Sequence, residues 1–432
     1  MAQLLIEGGT RLVGRVPISG SKNAVLPILA ACLLTEEEVR LKNVPRIEDV
    51  STMIRLLEGM GVHIRWMDPQ QLQVNAERLA RSEVLAAMAS RMRASFLLMG
   101  PLLARRGEAR VAKPGGDDIG MRRVEQHLLG LRLMGASIEL EGGEYVARAD
   151  RLKGATIFLD MPTVTGTENL MMAAATADGI TTIHNAAREP HVVDLATFLG
   201  KMGARIHGIG TDVLEIEGVP DLSGATHRVI PDNIEAGTYA FAIAATGGEG
   251  VLEEVETADL RAVMLKLRAA GVEVEDRTHS LWVRGSGHLQ PVDVTTWPHP
   301  GFPTDLQAPF VGLMTQAHGR CVVSEAVFEN RFQHVPELRK LGADIYVEGR
   351  SAIVSGPNVL HGSPVTVPDI RSGAALVVAA LCAKGTTSLD NIYHLDRGYQ
   401  EIVGKLEGLG AHIARVEGEG DVRHDLSRVV GD

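Results

Sequence analysis

Apolar residues along this chain alternate between two spacings, and the alternation itself repeats. An amphipathic run with apolar positions at helical intervals ends at a glycine, and a short alternating or β-branched stretch follows. Around Gly342, for example, Val335, Leu338 and Leu341 precede the glycine and Ala343 and Ile345 come after it. The same close occurs as Met60-Gly61-Val62-His63-Ile64, Met134-Gly135-Ala136-Ser137-Ile138, Met202-Gly203-Ala204-Arg205-Ile206, Ala270-Gly271-Val272-Glu273-Val274 and Leu409-Gly410-Ala411-His412-Ile413. Subtracting successive glycine numbers gives 74, 68, 68, 71 and 68. A period this steady over the whole length predicts one helix–glycine–strand unit used six times, with glycine as the left-handed residue that stops each helix.

A second, more apolar helix is predicted in every unit, over 24–34, 94–104, 169–177, 238–245, 306–316 and 374–383. Leu97-Leu98-Met99-Gly100-Pro101-Leu102-Leu103 and the run from Ala374 to Ala380 leave little polar surface on any side. Helices of that kind belong inside a domain, with other layers around them. Six units divide into three plus three, with the joint near Pro231-Asp232, where a Gly/Pro-rich stretch over 218–231 ends. The expected fold is α/β, in two lobes with helices inside and sheets outside, facing one another across a cleft. A solenoid scaffold is the competing reading, but solenoid periods usually run roughly 20–50 residues.

Composition narrows the class. Hydrophobic residues make up 45% of the 432, enough for large cores, and no apolar stretch is long and uninterrupted enough for a membrane span. The N-terminal Met1-Ala2-Gln3-Leu4-Leu5-Ile6-Glu7 has neither a basic head nor a cleavage-like segment, so a cytoplasmic protein is expected. Cys32, Cys321 and Cys382 lie in apolar runs without metal-ligand spacing, as buried inert thiols do. A net charge of −11 argues against nonspecific nucleic-acid binding. It also makes local cations informative.

Those cations recur at one structural position. Lys22, Arg93 and Arg371 precede apolar helices of the first, second and sixth units. Arg122, Arg331 and Arg397 lie 13, 11 and 13 residues before Gly135, Gly342 and Gly410, near the start of the other helix type. A cation at a helix N-terminus is locally unfavourable unless an anion binds there. The expected ligand therefore carries phosphate and carboxylate. The alternative for each residue is a surface cation paired with a nearby carboxylate.

Seven motifs carry a resemblance over essentially the entire chain, in order. They are Ser19-Gly20-Ser21-Lys22-Asn23-Ala24, Met92-Arg93-Ala94-Ser95, Pro114-Gly115-Gly116, Ala187-Arg188-Glu189-Pro190, Phe302-Pro303-Thr304-Asp305, Phe328-Glu329-Asn330-Arg331-Phe332 and Asp396-Arg397-Gly398-Tyr399. Together they resemble the UDP-N-acetylglucosamine 1-carboxyvinyltransferases, a family of enolpyruvyl transferases. The sister family of 5-enolpyruvylshikimate-3-phosphate synthases has a Gly-Asp-Lys-Ser type segment where this chain has Ser19 to Asn23, and the Lys-Asn pair favours the nucleotide-sugar branch. The resemblance implies a two-domain inside-out α/β barrel with three repeats per domain. The first lobe would be 22–231 with a catalytic loop at 113–123, and the second 1–21 plus 232–432.

It further implies transfer of enolpyruvyl from phosphoenolpyruvate to the 3-hydroxyl of UDP-N-acetylglucosamine, with release of phosphate, at the first committed step of peptidoglycan precursor synthesis. By resemblance, Lys22, Arg122 and Arg397 hold the phosphoenolpyruvate phosphate, Arg331 and Arg397 its carboxylate, and Arg93 and Arg371 complete the positive surroundings. Asn23, Arg93, Arg122, Arg123, Val124, Glu125, Gln126, Thr163, Val164, Thr165, Thr304, Asp305 and Val327 are implied for the nucleotide sugar. Thr165-Gly166-Thr167-Glu168-Asn169 also reads as an ordinary helix start with an acid in its first turn.

Asp305 is the candidate base for the sugar hydroxyl; its structural alternative is to cap a helix beginning at Leu306, and Asp369 is a candidate to orient or assist it. Asp117 stands where the family usually has cysteine, as the candidate proton donor to the methylene carbon, with a solvated Asp117-Asp118 turn as the alternative. A carboxylate is a poor nucleophile toward the epoxide fosfomycin, so resistance to it is expected. Arg122-Arg123-Val124-Glu125-Gln126-His127 replaces the usual Arg-Pro-Val-Asp-x-His, which leaves another nucleotide sugar open as acceptor. A non-catalytic nucleotide-sugar sensor is the reading from a different class. No cofactor is implied, no spacing among His127, His299, His334 and His394 suggests a metal, and neither nucleic acid nor membrane is an expected partner. Sugar binding before phosphoenolpyruvate, with closure of the 113–123 loop, is the expected order.

Overall fold

A computed structural model describes residues 2–84, 89, 92–121 and 123–417. All six repeat closes adopt the left-handed conformation that the sequence pattern requires, with φ of +100° at Gly61, +98° at Gly135, +106° at Gly203, +82° at Gly271, +100° at Gly342 and +88° at Gly410. Each follows a helix: Glu48–Gly59, Glu125–Leu133, Pro190–Lys201, Arg261–Ala269, His334–Lys340 and Ile402–Gly408. A strand begins within three residues of each glycine.

The fold is α/β, and the described residues form six four-stranded sheets, each holding one parallel and two antiparallel pairings. The chain forms two compact units. One comprises residues up to Ser19, the short stretch Asp118–Met121 and the chain from Pro231 onward; the other comprises Gly20–Asp117 and the following chain to Ile230. In the first of these, Ala2–Glu7 lies between Thr386–Asp390 and His412–Glu417, and Val13–Pro17 runs parallel to Glu249–Glu253.

Burial divides the helices into two kinds, as the sequence predicts. Every residue of Gln307–Met314 is buried, and so is all of Ile370–Cys382 except its last residue. Strands such as Val39–Lys42 and Val213–Glu217 bury only alternate residues. Each unit has its own core. In one, Met99–Arg106 packs against Val164–Ala174; in the other, Gln307–Met314 packs against Ile370–Cys382, and Phe241 and Phe302 set their rings against Phe310 at 5.6 and 5.3 Å between centroids. Burial raises the thiols of Cys321 and Cys382 to about 11 and about 12, so neither is a thiolate near neutrality.

Several helix starts differ from the expected ones because capping side chains set them. Ser21 caps Lys22–Ala31, Thr163 caps Val164–Ala174, Asp232 caps Asn233–Ala245 and Asp369 caps Ile370–Cys382. Lys22 and Arg371 therefore lie inside the first turn rather than before it. Thr165 is likewise inside the helix, and Glu168 is buried in it instead of decorating its first turn. The segment expected as one helix over 94–104 is a 3-10 stretch, Arg93–Leu98, continuing into α-helix Met99–Arg106. Pro101, which lacks an N–H, is tolerated in that first α-turn. No helix among the described residues is long and apolar enough to cross a membrane.

Candidate active site

In the unit containing residues 20–117, Lys22 is held by the start of its helix and pairs through Nζ with Asp49 Oδ2 at 2.8 Å, both side chains nearly enclosed. Asn23 is the one residue of that helix not fully buried. Arg93 opens the 3-10 stretch, half-buried.

Its charge, together with burial, acts on His127, whose pKa is lowered to about 3, burial being the larger cause. Asn169 fixes the ring. Its Oδ1 accepts from the Gly100 amide at 2.7 Å, so its Nδ2 donates to Phe96 O at 2.9 Å and to His127 Nδ1 at 3.1 Å. A neutral imidazole accepting at Nδ1 carries its proton on Nε2, which faces Thr165 Oγ1 at 3.2 Å. The Thr165 hydroxyl accepts there and keeps its own proton for another acceptor.

The other nucleotide-sugar candidates of this unit surround the same helix. Thr163 accepts from Gly166 N, and Gln126 joins the 160–161 turn by accepting from Asp160 N at 2.7 Å and donating to Met161 O at 3.3 Å. Val124 is buried at the start of Glu125–Leu133, and Arg123 and Glu125 are exposed. Arg122 lies outside the described residues. Asp117 is half-buried at the edge of this unit.

His127 gives a pH test. Between pH 6.5 and about 3 the unfolded chain binds a proton at this ring and the folded chain does not, so stability is lost as pH falls through that window. His127→Gln removes the effect. The stability gap between wild type and variant, read from urea midpoints, is expected to shrink by on the order of a few kcal/mol from pH 7 to pH 4. A gap that does not change with pH would contradict the buried neutral ring.

In the other unit, Asp305 lies in the 3-10 turn Thr304–Leu306. It caps nothing. Arg331 Nη2 donates to Oδ1 at 2.7 Å, and Arg371 donates to Oδ2 from Nη2 at 2.8 Å and Nε at 3.1 Å. Burial alone would raise this carboxyl, but Arg371 and Arg331 outweigh it and hold it well below the usual carboxylate range. The same carboxylate pushes Arg371 up against the lowering effect of burial. The cations here do pair with a carboxylate, and that carboxylate is itself a predicted site residue. Asp369 does not orient Asp305 directly; its oxygens take the Arg371 and Ser372 amides, at 2.9 and 3.0 Å, and the Ser372 hydroxyl. Arg397 is buried after the short helix Tyr393–Asp396, with Nη1 3.4 Å from His394 Nδ1.

The stretch Asp118–Met121 docks in this unit beside Arg331. Asn330 donates from its amide to Ile119 O at 3.1 Å and from Nδ2 to Asp118 O at 3.2 Å, and Gln333 Nε2 also donates to Asp118 O. Gly120 has φ +139°, and a Cβ there would sit 2.0 Å from Glu329 Oε2 and 3.2 Å from Glu329 N. The backbone of this half of the predicted catalytic loop is thereby held at Asp118 and Ile119, while Asp118 and Met121 remain exposed.

Three site-organising residues escaped the sequence. Glu325, buried after Gly319–Ser324, accepts from Thr296 Oγ1 at 2.8 Å, Thr304 Oγ1 at 2.9 Å, Val327 N at 2.8 Å and Phe328 N at 3.0 Å, tying Thr304 to the turn that carries Val327. Thr304 thus spends its hydroxyl proton internally. Asp49 and Asn169 are the other two. Their only sequence signal is a polar residue within an otherwise apolar helical face.

The EPSP synthase (3-phosphoshikimate 1-carboxyvinyltransferase) family pattern matches residues 6–406. The chain is 50% identical over 418 residues to UDP-N-acetylglucosamine 1-carboxyvinyltransferase 2 of Carboxydothermus hydrogenoformans, covering 96% of this chain and 100% of that one. It is 49% identical over 417 residues to UDP-N-acetylglucosamine 1-carboxyvinyltransferase of Magnetococcus marinus, again with 96% and 100% coverage. Among solved structures, the enolpyruvyl transferase NikO from Streptomyces tendae superposes with a TM-score of 0.87 at 28% identity, covering 96% of this chain and 99% of that one. EPSP synthase from Acinetobacter baumannii shares the fold, with a TM-score of 0.75 at 20% identity and coverage of 96% and 100%. Matched over 96% of its length in sequence and in fold, the chain belongs to the enolpyruvyl (1-carboxyvinyl) transferase family.

Proposed function

We propose that this enzyme transfers the enolpyruvyl group of phosphoenolpyruvate to the 3-hydroxyl of UDP-N-acetylglucosamine and releases phosphate, in the cytoplasm, at the first committed step of peptidoglycan precursor synthesis. The observation that carries this is the half-identity to two transferases of that name along their entire lengths. The architecture is read as an inside-out α/β barrel in two lobes, 22–231 and 1–21 plus 232–432, and the three sheets and buried helices of each unit support it.

The chemistry is addition followed by elimination. The sugar oxygen bonds to the carbon bearing phosphate while its proton leaves to Asp305, and Asp117 protonates the methylene carbon to a methyl. Loss of a methyl proton then reforms the double bond and expels phosphate. Lys22, Arg122 and Arg397 are assigned to the phosphate, Arg331 and Arg397 to the carboxylate, and Arg93 and Arg371 to the surrounding positive field; guanidinium forks hold both anions with defined geometry.

The clamp on Asp305 fits this assignment. A carboxylate held by two guanidiniums is a weak base, and one of the two, Arg331, is assigned to the substrate carboxylate. As that carboxylate takes over Arg331, Oδ1 is released and the basicity of Asp305 rises. The base is strengthened only when its substrate is present. Asn23, Thr163, Val164, Thr165, Thr304, Val327 and the 122–126 segment are assigned to the nucleotide sugar; the positive end of the helix that Thr163 caps and the Thr165 hydroxyl proton suit a diphosphate.

The altered 122–127 segment, with Gln126 tied to the 160–161 turn, favours a second reading in which another nucleotide sugar is the acceptor. Phosphate release from phosphoenolpyruvate with a panel of nucleotide sugars separates the two. Release with UDP-N-acetylglucosamine above all others is expected; preference for another acceptor establishes the second reading, and no release with any acceptor overturns both.

A further inference from the structure

Arg371 uses its Nε and Nη2 on Asp305, and its remaining nitrogen, Nη1, approaches the hydroxyl of Tyr399 at 3.4 Å. That hydroxyl lies 3.0 Å from Thr238 Oγ1, which in turn is 2.9 Å from the carbonyl of Ile234. All three side chains are buried.

Proton accounting fixes the direction of every link. A guanidinium has no acceptor, so the phenolic proton cannot go to Arg371 and must go to Thr238. Thr238 then gives its own proton to the Ile234 carbonyl, which can only accept. Arg371 therefore donates to Tyr399, Tyr399 to Thr238, and Thr238 to the backbone of helix Asn233–Ala245. The chain has one polarity and ends on a fixed main-chain atom.

We propose that Tyr399 and Thr238 are positioning residues for Asp305, acting through Arg371 by holding its guanidinium so that the Nε and Nη2 edge faces the carboxylate. The Asp369 cap secures the backbone of Arg371, but a long side chain on a fixed backbone still has many rotamers. Tyr399 selects among them from the far side. Preorganised polar groups of this kind avoid reorganisation during the reaction. The catalytic part of this inference rests on Asp305 being the base proposed above; the structural part does not.

The test uses Tyr399→Phe, Thr238→Val and Thr238→Ser in the full-length protein, with two readouts. In the substrate-free protein, solvent exchange of the Arg371 Nε proton is followed by nitrogen-15 NMR with labelled arginine. It is expected to speed up about tenfold or more in Tyr399→Phe and Thr238→Val as the anchoring bond is lost, and to stay near wild type in Thr238→Ser, which keeps the hydroxyl. In turnover, Tyr399→Phe is expected to lower kcat about tenfold with KM for the nucleotide sugar unchanged, and Thr238→Ser to retain activity. Wild-type exchange in both Tyr399→Phe and Thr238→Val would overturn the positioning role, and so would a kcat loss shared equally by Thr238→Ser. If the wild type itself releases no phosphate, the enzymatic reading fails, and the exchange measurement still decides whether Tyr399 holds Arg371.

Discussion

Asp305→Asn is expected to lower kcat by about a hundred- to ten-thousandfold, the range spanned by loss of a positioned proton acceptor. The amide keeps the shape and one acceptor oxygen but has no charge and negligible basicity. Its second effect separates this loss from general damage. Arg331 and Arg371 lose their shared counter-charge, which costs about 3 kcal/mol or less because the carboxylate is partly open to solvent. The same two cations then have more to gain from an incoming anion. Phosphoenolpyruvate affinity, read by calorimetry, should be kept or strengthened while turnover disappears. Retained turnover would remove Asp305 from the role of base, and loss of phosphoenolpyruvate binding would show that the variant acts through misfolding of the site.

Asp117 carries the second large effect. Asp117→Asn cannot donate a proton, and kcat is expected to fall about a hundredfold or more. Asp117→Cys restores a donor and is expected to regain much of the turnover. The exchange should also change inhibitor chemistry, because a thiolate opens an epoxide far faster than a carboxylate does. The native protein is expected to resist fosfomycin, and Asp117→Cys to be inactivated in a time-dependent way with one adduct by mass spectrometry. Stoichiometric adduct formation at Asp117 in the native protein would contradict this. The docking of Asp118 and Ile119 on Asn330 and Gln333 bears on the outcome, since it holds the residues next to Asp117 in place.

Much of the fold was legible in the sequence because it is written in short-range chemistry. The left-handed residue after each amphipathic helix must be glycine at little steric cost, so six glycines at a steady interval disclosed six units. The wholly apolar helices disclosed burial in the same way. Their starts were misplaced by several residues because Ser21, Thr163 and Asp369 act through side-chain caps that a hydrophobic pattern does not register.

The site was legible in a different sense. Residue types and motifs picked out Asp305, Arg331 and Arg371, yet no spacing within the sequence states that 305 meets both 331 and 371. The pairing of cations with a carboxylate was kept open in the sequence, but not that Asp305 would be the partner of two of them. Glu325, Asn169 and Asp49 escaped notice for the same reason. Each takes its meaning from partners brought together by tertiary folding, and as isolated letters they read as ordinary polar interruptions of apolar segments.

The reaction course is open to one direct measurement: turnover of phosphoenolpyruvate and UDP-N-acetylglucosamine in deuterium oxide, with the product examined by mass spectrometry and proton NMR. Protonation of the methylene carbon to a methyl, followed by loss of one of its hydrogens, leaves deuterium in the vinyl group of the enolpyruvyl ether. That labelled ether, formed in step with phosphate, is the expected result. An unlabelled ether, or phosphate released with no ether formed, would contradict the account.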